Sequence, residues 1–456
     1  MIVMKFGGTS LESTEAIDRA LEIVKARREQ QPVVVVSAMG KTTNGLLAIA
    51  EEAEKGNRTG AMEKLRALEE YHRRESAPLV SAQERSQLES TLKDDFQSLG
   101  ELVERLCVLR LVTPQSLDTL ASFGERLSSQ IVALALKSRG VASVHVDARN
   151  VIVTDSNFTE AAPDIPETYE RASRVIGGLD KGTVAVMGGF IGADRAGVTT
   201  TLGRGGSDFT ASLVGAAISA QEIQIWTDVD GVLTCDPRIV PEARPVKTIS
   251  FDEAAELAYF GAKVLHPATV MPAKEKNIPV RILNSRRPAA PGTIIVAEAV
   301  PCMNLLKSVA CKQGLAIVNL RSNRMLMAHG FLQRIFEVFA RYETSVDMLA
   351  TSEVSVSLTV DDDTRFPEIC AELAPFTEVS IERDQAILCV VGDNIRHTPG
   401  VAARVFGALR DVNVRMISQG ASLLNIGVVV DGRDAGKAAE ALHREFFSTL
   451  DPAVFG

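Results

Sequence analysis

The sequence has no apolar run near the roughly 18 residues that a membrane-spanning helix needs. Its opening, MIVMKFGGTS, also lacks the basic stretch followed by an apolar one that marks a secretory leader. A cytoplasmic protein without a membrane partner is expected. Positive charge is scarce too: 49 Lys+Arg against 58 Asp+Glu leave a net charge of −9. With no domain-wide positive field to hold nucleic-acid phosphates, a small molecule is the expected partner and a nucleic acid is not. The six cysteines (Cys107, Cys235, Cys302, Cys311, Cys370 and Cys389) form no CxxC pair, and the six histidines show neither HExxH nor HxxxH spacing. Reduced thiols are therefore expected, with no disulfide framework and no protein-held metal.

What is present is ordinary globular material. The chain has 456 residues, 46% hydrophobic and 23% charged, with 33 Gly and 18 Pro. At about 150 residues per domain, that length allows three domains with their own cores. Apolar runs rich in β-branched residues recur at Ile2–Phe6, Val33–Val36, Val144–Val146, Thr183–Met187, Ile223–Trp226 and Pro279–Leu283, with helical patterns between several of them. This alternation predicts an α/β domain whose largely parallel sheet is covered on both faces. One helix carries Leu120, Phe123, Leu127, Ile131 and Leu134 on a single face; another opens with Ser250 and Glu253 spaced as a capping box. The charged stretch from Glu51 to Glu104 reads as amphipathic helices with solvated faces.

Pro288, Pro291, Gly292 and Pro301 then interrupt any long element, and shorter strands and helices are expected beyond them. The remaining third repeats itself: Gly330, Phe336 and Asp361 recur as Gly400, Phe406 and Asp431, 70 residues on. Phe331, Ile335 and Phe339 share one helix face, as do Val401, Val405 and Leu409. Each unit fits helices laid on one face of an antiparallel sheet, and at this size packs against its twin or another subunit.

Three glycine-rich stretches adjoin apolar strands: Lys5 to Ser10, Gly188 to Gly192 and Gly203 to Asp208. Glycine lets the backbone close on a ligand and turn N–H groups toward phosphate oxygens, and the third stretch leads into a helix whose dipole favours an anion. Lys5 and Arg204 add positive charge. Two better-known motifs fail: a P-loop ending at Met39-Gly40-Lys41-Thr42 would need glycine at Val35, and a dinucleotide motif opening at Gly203 would need glycine at Asp208. Trp226 to Gly231 reads as a strand end whose Thr227 and Asp228 meet a nucleotide, or as an Asp-Gly turn with solvated carboxylates.

KFGGTS at the start, SFGERL at 122–127, TTTLGRGGSD at 199–208, WTDVDGV at 226–232 and FGAKVLHP at 260–267 together resemble the aspartate kinases of the amino acid kinase family. The repeat resembles their paired ACT domains. The resemblance implies a three-layer α/β sandwich over residues 1–290, a linker at 291–305, and two α+β, ferredoxin-like ACT modules at 306–384 and 385–456. The opening strand at 307–311 is open to assignment to the second module. The implied reaction is transfer of the ATP γ-phosphoryl group to the side-chain carboxylate of L-aspartate, the step committing it to lysine, threonine, methionine and diaminopimelate. An aspartate side chain, which ordinarily titrates at about 3.9, is already ionised at neutral pH and needs no general base. The work lies in positioning and in neutralising charge with Mg²⁺, a lysine and backbone N–H groups.

By the same resemblance, Lys5, Gly7, Gly8 and Asp208 form the catalytic group. Arg204 pairs with the substrate's α-carboxylate, and Glu125 and Asp208 receive its ammonium. Ser37, Thr43 and Ser207 line the aspartate pocket. Phe6, Thr227, Asp228, Leu233, Arg238 and Lys263 join Lys5, Gly7 and Gly8 on the nucleotide side, Leu233 standing where the family often has tyrosine. Met325, Gly330, Phe331, Leu332, Ser345, Val346, Asp347, Thr351, Ser352 and Glu353 match a lysine-sensitive effector pattern, which Met327 and Ala328 depart from; lysine is the first expected inhibitor and threonine the second. A homodimer through the ACT modules is implied, with a tetramer as the larger option.

Overall fold

Residues 1–260, 267–298, 302–322 and 329–456 are described in the structure, a computed structural model. The motif positions Lys263, Met325, Met327 and Ala328 lie outside the described residues. The chain divides into two units, Met1–Gly231 with Val264–Glu298, and Val232–Lys263 with Ala299–Gly456.

The first unit is organised by β1 (Ile2–Phe6), β2 (Pro32–Val36), β3 (Ser143–Val146), β4 (Val184–Gly188), β5 (Ile223–Thr227), β6 (Val280–Asn284) and β7 (Thr293–Val296). They lie side by side in the order β3-β4-β2-β1-β5-β6-β7. All neighbouring pairs are parallel except β6 and β7. Each of the six strand runs read from the sequence appears within a residue or so of its expected place. A fully buried run such as Pro32–Val36 requires cover on both faces, and the alternation along β1 supplies it. Ile2, Met4 and Phe6 point into a core built with α1 (Thr14–Ala26), α2 (Thr42–Glu54), α3 (Arg58–Ser76), α4 (Ala82–Leu109) and α5 (Pro114–Ser138). Val3 points the other way, toward α6 (Gly206–Ala217), where a Cβ at Gly215 would stand 3.7 Å from it. The result is the three-layer sandwich.

The second unit is built on β8 (Ser308–Arg321), β9 (Leu349–Thr351), β10 (Ser355–Val360), β11 (Glu378–Val391), β12 (Val414–Gln419) and β13 (Asn425–Asp431). Their order is β9-β10-β8-β11-β13-β12, antiparallel throughout. The 70-residue repeat explains this layout: β8 starts at 308 and β11 at 378, β10 at 355 and β13 at 425. The same segment includes α7 (Phe251–Tyr259), started by the Ser250–Glu253 capping box, which forms as read. Gly330 and Gly400 recur because both sit at helix N-caps with positive φ, 77° and 85°, a conformation that disfavours a Cβ. They start α8 (Phe331–Arg341) and α9 (Val401–Ala408). Phe331, Ile335, Val338 and Phe339 pack on alternate strand residues such as Val318, Leu320, Val356 and Leu358, placing this module's helices on one sheet face.

Two expectations change. The strands do not shorten after the proline-rich stretch; β8 and β11 are each 14 residues long. The reason is sharing. The first half of β8 pairs with Ala386–Val391 of β11, beside β13, while its second half pairs with β10 and with the first half of β11. One strand thus serves both modules. The segment Val232–Lys263, placed in the first domain by sequence, packs with the second unit. Val309 N–H donates to the Thr234 carbonyl at 2.8 Å, Thr234 Oγ1 meets His443 Nε2 at 2.9 Å, and Lys307 forms a buried ion pair with Glu253 at 3.0 Å.

Candidate active site

The parallel register brings Phe6 level with Val36 and Trp226, Val36 level with Gly188, and Thr227 level with Asn284. The turns after these strands therefore open on one edge, the carboxyl edge where ligands of open α/β sheets bind.

Lys5 is next to last in β1, on the face opposite the Phe6 ring. Its Nζ lies 2.7 Å from Asp208 Oδ1, with side-chain exposures of 12% and 14%. Asp208 is in the first turn of α6, whose N-cap is Gly205 at φ 74°, so strand, helix start and ion pair meet at one point. Beside it, Ser37 Oγ donates to Ser207 Oγ at 3.0 Å. A Cβ on Gly189 would stand 2.7 Å from Ser207 Cα and one on Gly188 2.9 Å from Glu125 Cβ, so these glycines permit the close approach of the β4 turn to both helices. The Gly8 carbonyl accepts from Gly40 N–H at 3.0 Å, tying the first glycine turn to the turn after β2.

Glu125, in α5, is 3% exposed. Its Oε1 accepts from Ala38 N–H at 3.0 Å, while Oε2 is buried with no partner among the described residues. Desolvation pushes this carboxyl up to about 8, against the opposing pull of the Ala38 hydrogen bond and the Lys5 charge. The site thus holds a buried, half-satisfied acid that a cation would complete. Arg204 is exposed and has no hydrogen-bond or ion-pair partner among the described residues; a free guanidinium on a glycine loop suits a carboxylate. Thr43 is half-buried in the first turn of α2.

The nucleotide-side residues are less uniform. The Phe6 ring is buried and stacks on Trp226 with centroids 6.0 Å apart, so only its backbone can face a ligand. Gly7 N–H is spent on the Trp226 carbonyl at 3.1 Å, so Gly7 contributes by its missing side chain: a Cβ there would lie 3.7 Å from Lys5 Nζ. Thr227 and exposed Asp228 stand at the end of β5, Thr227 Oγ1 donating to Asp228 Oδ1 at 3.2 Å. Asp230 is structural: it takes Asn284 Nδ2 at 2.7 Å and pairs with Arg287. Leu233 and Arg238 belong to the second unit, where Arg238 forks onto Asp236 at 2.6 to 3.1 Å.

Among the effector-pattern residues, Gly330 and buried Phe331 begin α8, with Leu332 exposed. Ser345 and Glu353 are exposed, Val346 packs on the module core, and Ser352 closes a turn with Ser355, Oγ to Oγ at 2.6 Å. Asp347 is engaged by Lys312 Nζ at 3.1 Å, so it does not present a bare carboxylate.

Asp118 escaped the sequence reading. Almost wholly buried, it accepts from Thr201 N–H at 2.9 Å, Thr201 Oγ1 at 2.6 Å and Thr159 N–H at 2.9 Å, pinning the strand that leads into the Arg204 loop. Its only signal was its place seven residues before Glu125, two helical turns along the same face.

Comparisons with known proteins identify the family and the fold. Residues 1–284 match the amino acid kinase family and residues 388–446 an ACT domain. The chain is 36% identical to lysine-sensitive aspartokinase 3 of Escherichia coli, over 98% of this chain and 99% of that protein. It is 39% identical to the chloroplastic aspartokinase 1 of Arabidopsis thaliana, over 98% of this chain and 80% of that one. The crystal structure of E. coli aspartokinase III in complex with aspartate and ADP, an R-state, superposes with a TM-score of 0.83 at 36% identity, covering 98% of this chain and all of that one. The same enzyme with lysine and aspartate, a T-state, gives 0.84 at 36% identity, covering 98% and 99%. With a family model matched over residues 1–284 and aspartokinases matched over nearly its whole length, the chain belongs to the amino acid kinase family.

Proposed function

We propose that the protein phosphorylates the side-chain carboxylate of L-aspartate with ATP and Mg²⁺, giving 4-phospho-L-aspartate and ADP. A carboxylate oxygen bonds to the γ-phosphorus as the bond to the ADP oxygen breaks, and no proton need move. The observation that carries the reading is the carboxyl edge itself. Lys5 is held there by Asp208 at 2.7 Å and acts on the charge of Glu125, whose buried Oε2 has no partner among the described residues, as Arg204 on the third glycine stretch has none. In this scheme Arg204 takes the α-carboxylate, and Glu125 with Asp208 takes the α-ammonium. Asp208 moving to the substrate frees Lys5 for the transferring phosphoryl oxygens, a role worth several kcal/mol in comparable sites. Ser37, Thr43 and Ser207 orient the aspartate, while Gly7 and Gly8 keep side chains out of the phosphate path.

The resemblance assigns Thr227, Asp228, Leu233, Arg238 and Lys263 to the nucleotide. Magnesium keeps most of its ligands from phosphate oxygens and water with one or two carboxylates, and the exposed Asp228 carboxylate at this edge fits that demand; it would neutralise the developing phosphoryl charge.

The product leads toward lysine, threonine, methionine and diaminopimelate, and the first repeat is read as the site of an inhibitory amino acid, lysine before threonine. Paired modules would form the dimer, with coupling between sites of typically about 1 to 3 kcal/mol. The test traps acyl phosphate with hydroxylamine from ATP, Mg²⁺ and a panel of acids. Hydroxamate from aspartate alone is expected; product from glutamate or N-acetylglutamate but not aspartate overturns the substrate.

A further inference from the structure

In the second unit one ammonium serves two carboxylates and an aromatic face. Lys312, in the first half of β8, has Nζ 3.1 Å from Asp347 Oδ2 and also pairs with Asp361, just after β10. The same Nζ stands 5.8 Å from the Tyr259 ring centroid. The Asp347 side chain is 6% exposed and Lys312 22%, whereas Asp361 opens to solvent at 49%. Two carboxylates and a ring face are the groups that recognise an alkylammonium. The cluster is also under-neutralised: among the described residues, two acids share one cation. Burial and the hydrogen bond with Asp361 hold the Asp347 carboxyl up at about 6, against the pull of Lys312. An added cation is therefore welcome, and the position it would take is already filled from within the chain.

We propose that Lys312 is an internal occupant of an alkylammonium site formed by Asp347, Asp361 and Tyr259, and that it competes with the side-chain ammonium of a cationic amino acid effector. This rests on the reading of the first repeat as the effector site. Lys312 then sets both sensitivity and selectivity. While it holds Asp347, an incoming ammonium must displace it or share the carboxylates, so affinity is weakened for a cationic side chain and unchanged for a neutral one.

The experiment is calorimetric titration of the full-length protein with L-lysine and with L-norleucine, its analogue lacking the ammonium, for the wild type, Lys312→Gln and Lys312→Arg. Lys312→Gln is expected to bind lysine at least about fivefold more tightly, the low end of typical coupling, with norleucine unchanged and Lys312→Arg close to the wild type. Lysine binding that is not tightened by Lys312→Gln, or a gain shared equally by norleucine, overturns the proposal. Inhibition of aspartate phosphorylation, measured in parallel, keeps the two readings apart. Lysine that binds more tightly to Lys312→Gln yet inhibits neither protein would sink the effector reading and leave the ammonium site standing.

Discussion

Glu125 shows how much of the proposed chemistry rests on one buried atom. Its carboxyl, pushed up to about 8 by desolvation, is mostly protonated at neutral pH, yet the role proposed for it is to face an ammonium. Ionisation must therefore accompany substrate binding, and affinity for aspartate should climb about tenfold per pH unit below 8 and level off above it. Measuring KM for aspartate from pH 6.5 to 9 checks this; a wild-type KM flat across that range removes Glu125 from the substrate ammonium, and Glu125→Gln should lose the slope. The sequence made Glu125 legible only through its SFGERL motif, since an acid on a helix is usually solvated. Nothing in the sequence exposed the unpartnered oxygen, because that depends on where α5 meets the turn after β2. Asp118 stayed hidden for the same reason: its partners, Thr159 and Thr201, are far away in the chain.

Elements at the site are spaced by absent side chains. The β4 turn approaches the start of α6 so closely that a Cβ at Gly189 would lie 2.7 Å from Ser207 backbone and side-chain carbons. Gly189→Ala should therefore push the two apart and destabilise the protein by about 1 to 3 kcal/mol, while disturbing the Ser37–Ser207 contact. Thermal unfolding and KM for aspartate read these effects, and unchanged values for both would contradict the packing argument. The strands were legible because buried parallel strands are apolar throughout, and the Ser250 capping box because it is local. The short helix it starts, α7, was harder to place. Its Glu253, Glu256 and Tyr259 lie three residues apart and engage Lys307, then Ser422 with Asn425, then Lys312, tying it to both repeats of the second unit. Such contacts span up to 169 residues, beyond any local pattern.

At the scale of the molecule, the repeat was the most informative feature of the sequence. Two copies offset by 70 residues became two halves of one six-stranded sheet, and the left-handed N-caps of Gly330 and Gly400 explain why glycine recurs at that interval. Strand length was misjudged because a strand shared end to end by two modules leaves no mark in composition. The proline-rich stretch marks one crossing between units, after Glu298, but not the earlier excursion of Val232–Lys263 into the second unit, where a buried Lys307–Glu253 pair and a strand-to-loop hydrogen bond decide the partner. The catalytic unit as a whole is proposed to work by letting two anions meet beside Lys5, and steady-state kinetics of Lys5→Met with aspartate and MgATP tests that most directly. The account predicts that kcat falls by about 10² to 10³ with both KM values nearly unchanged, as when a transition-state charge partner is removed; turnover within a few-fold of the wild type would contradict it.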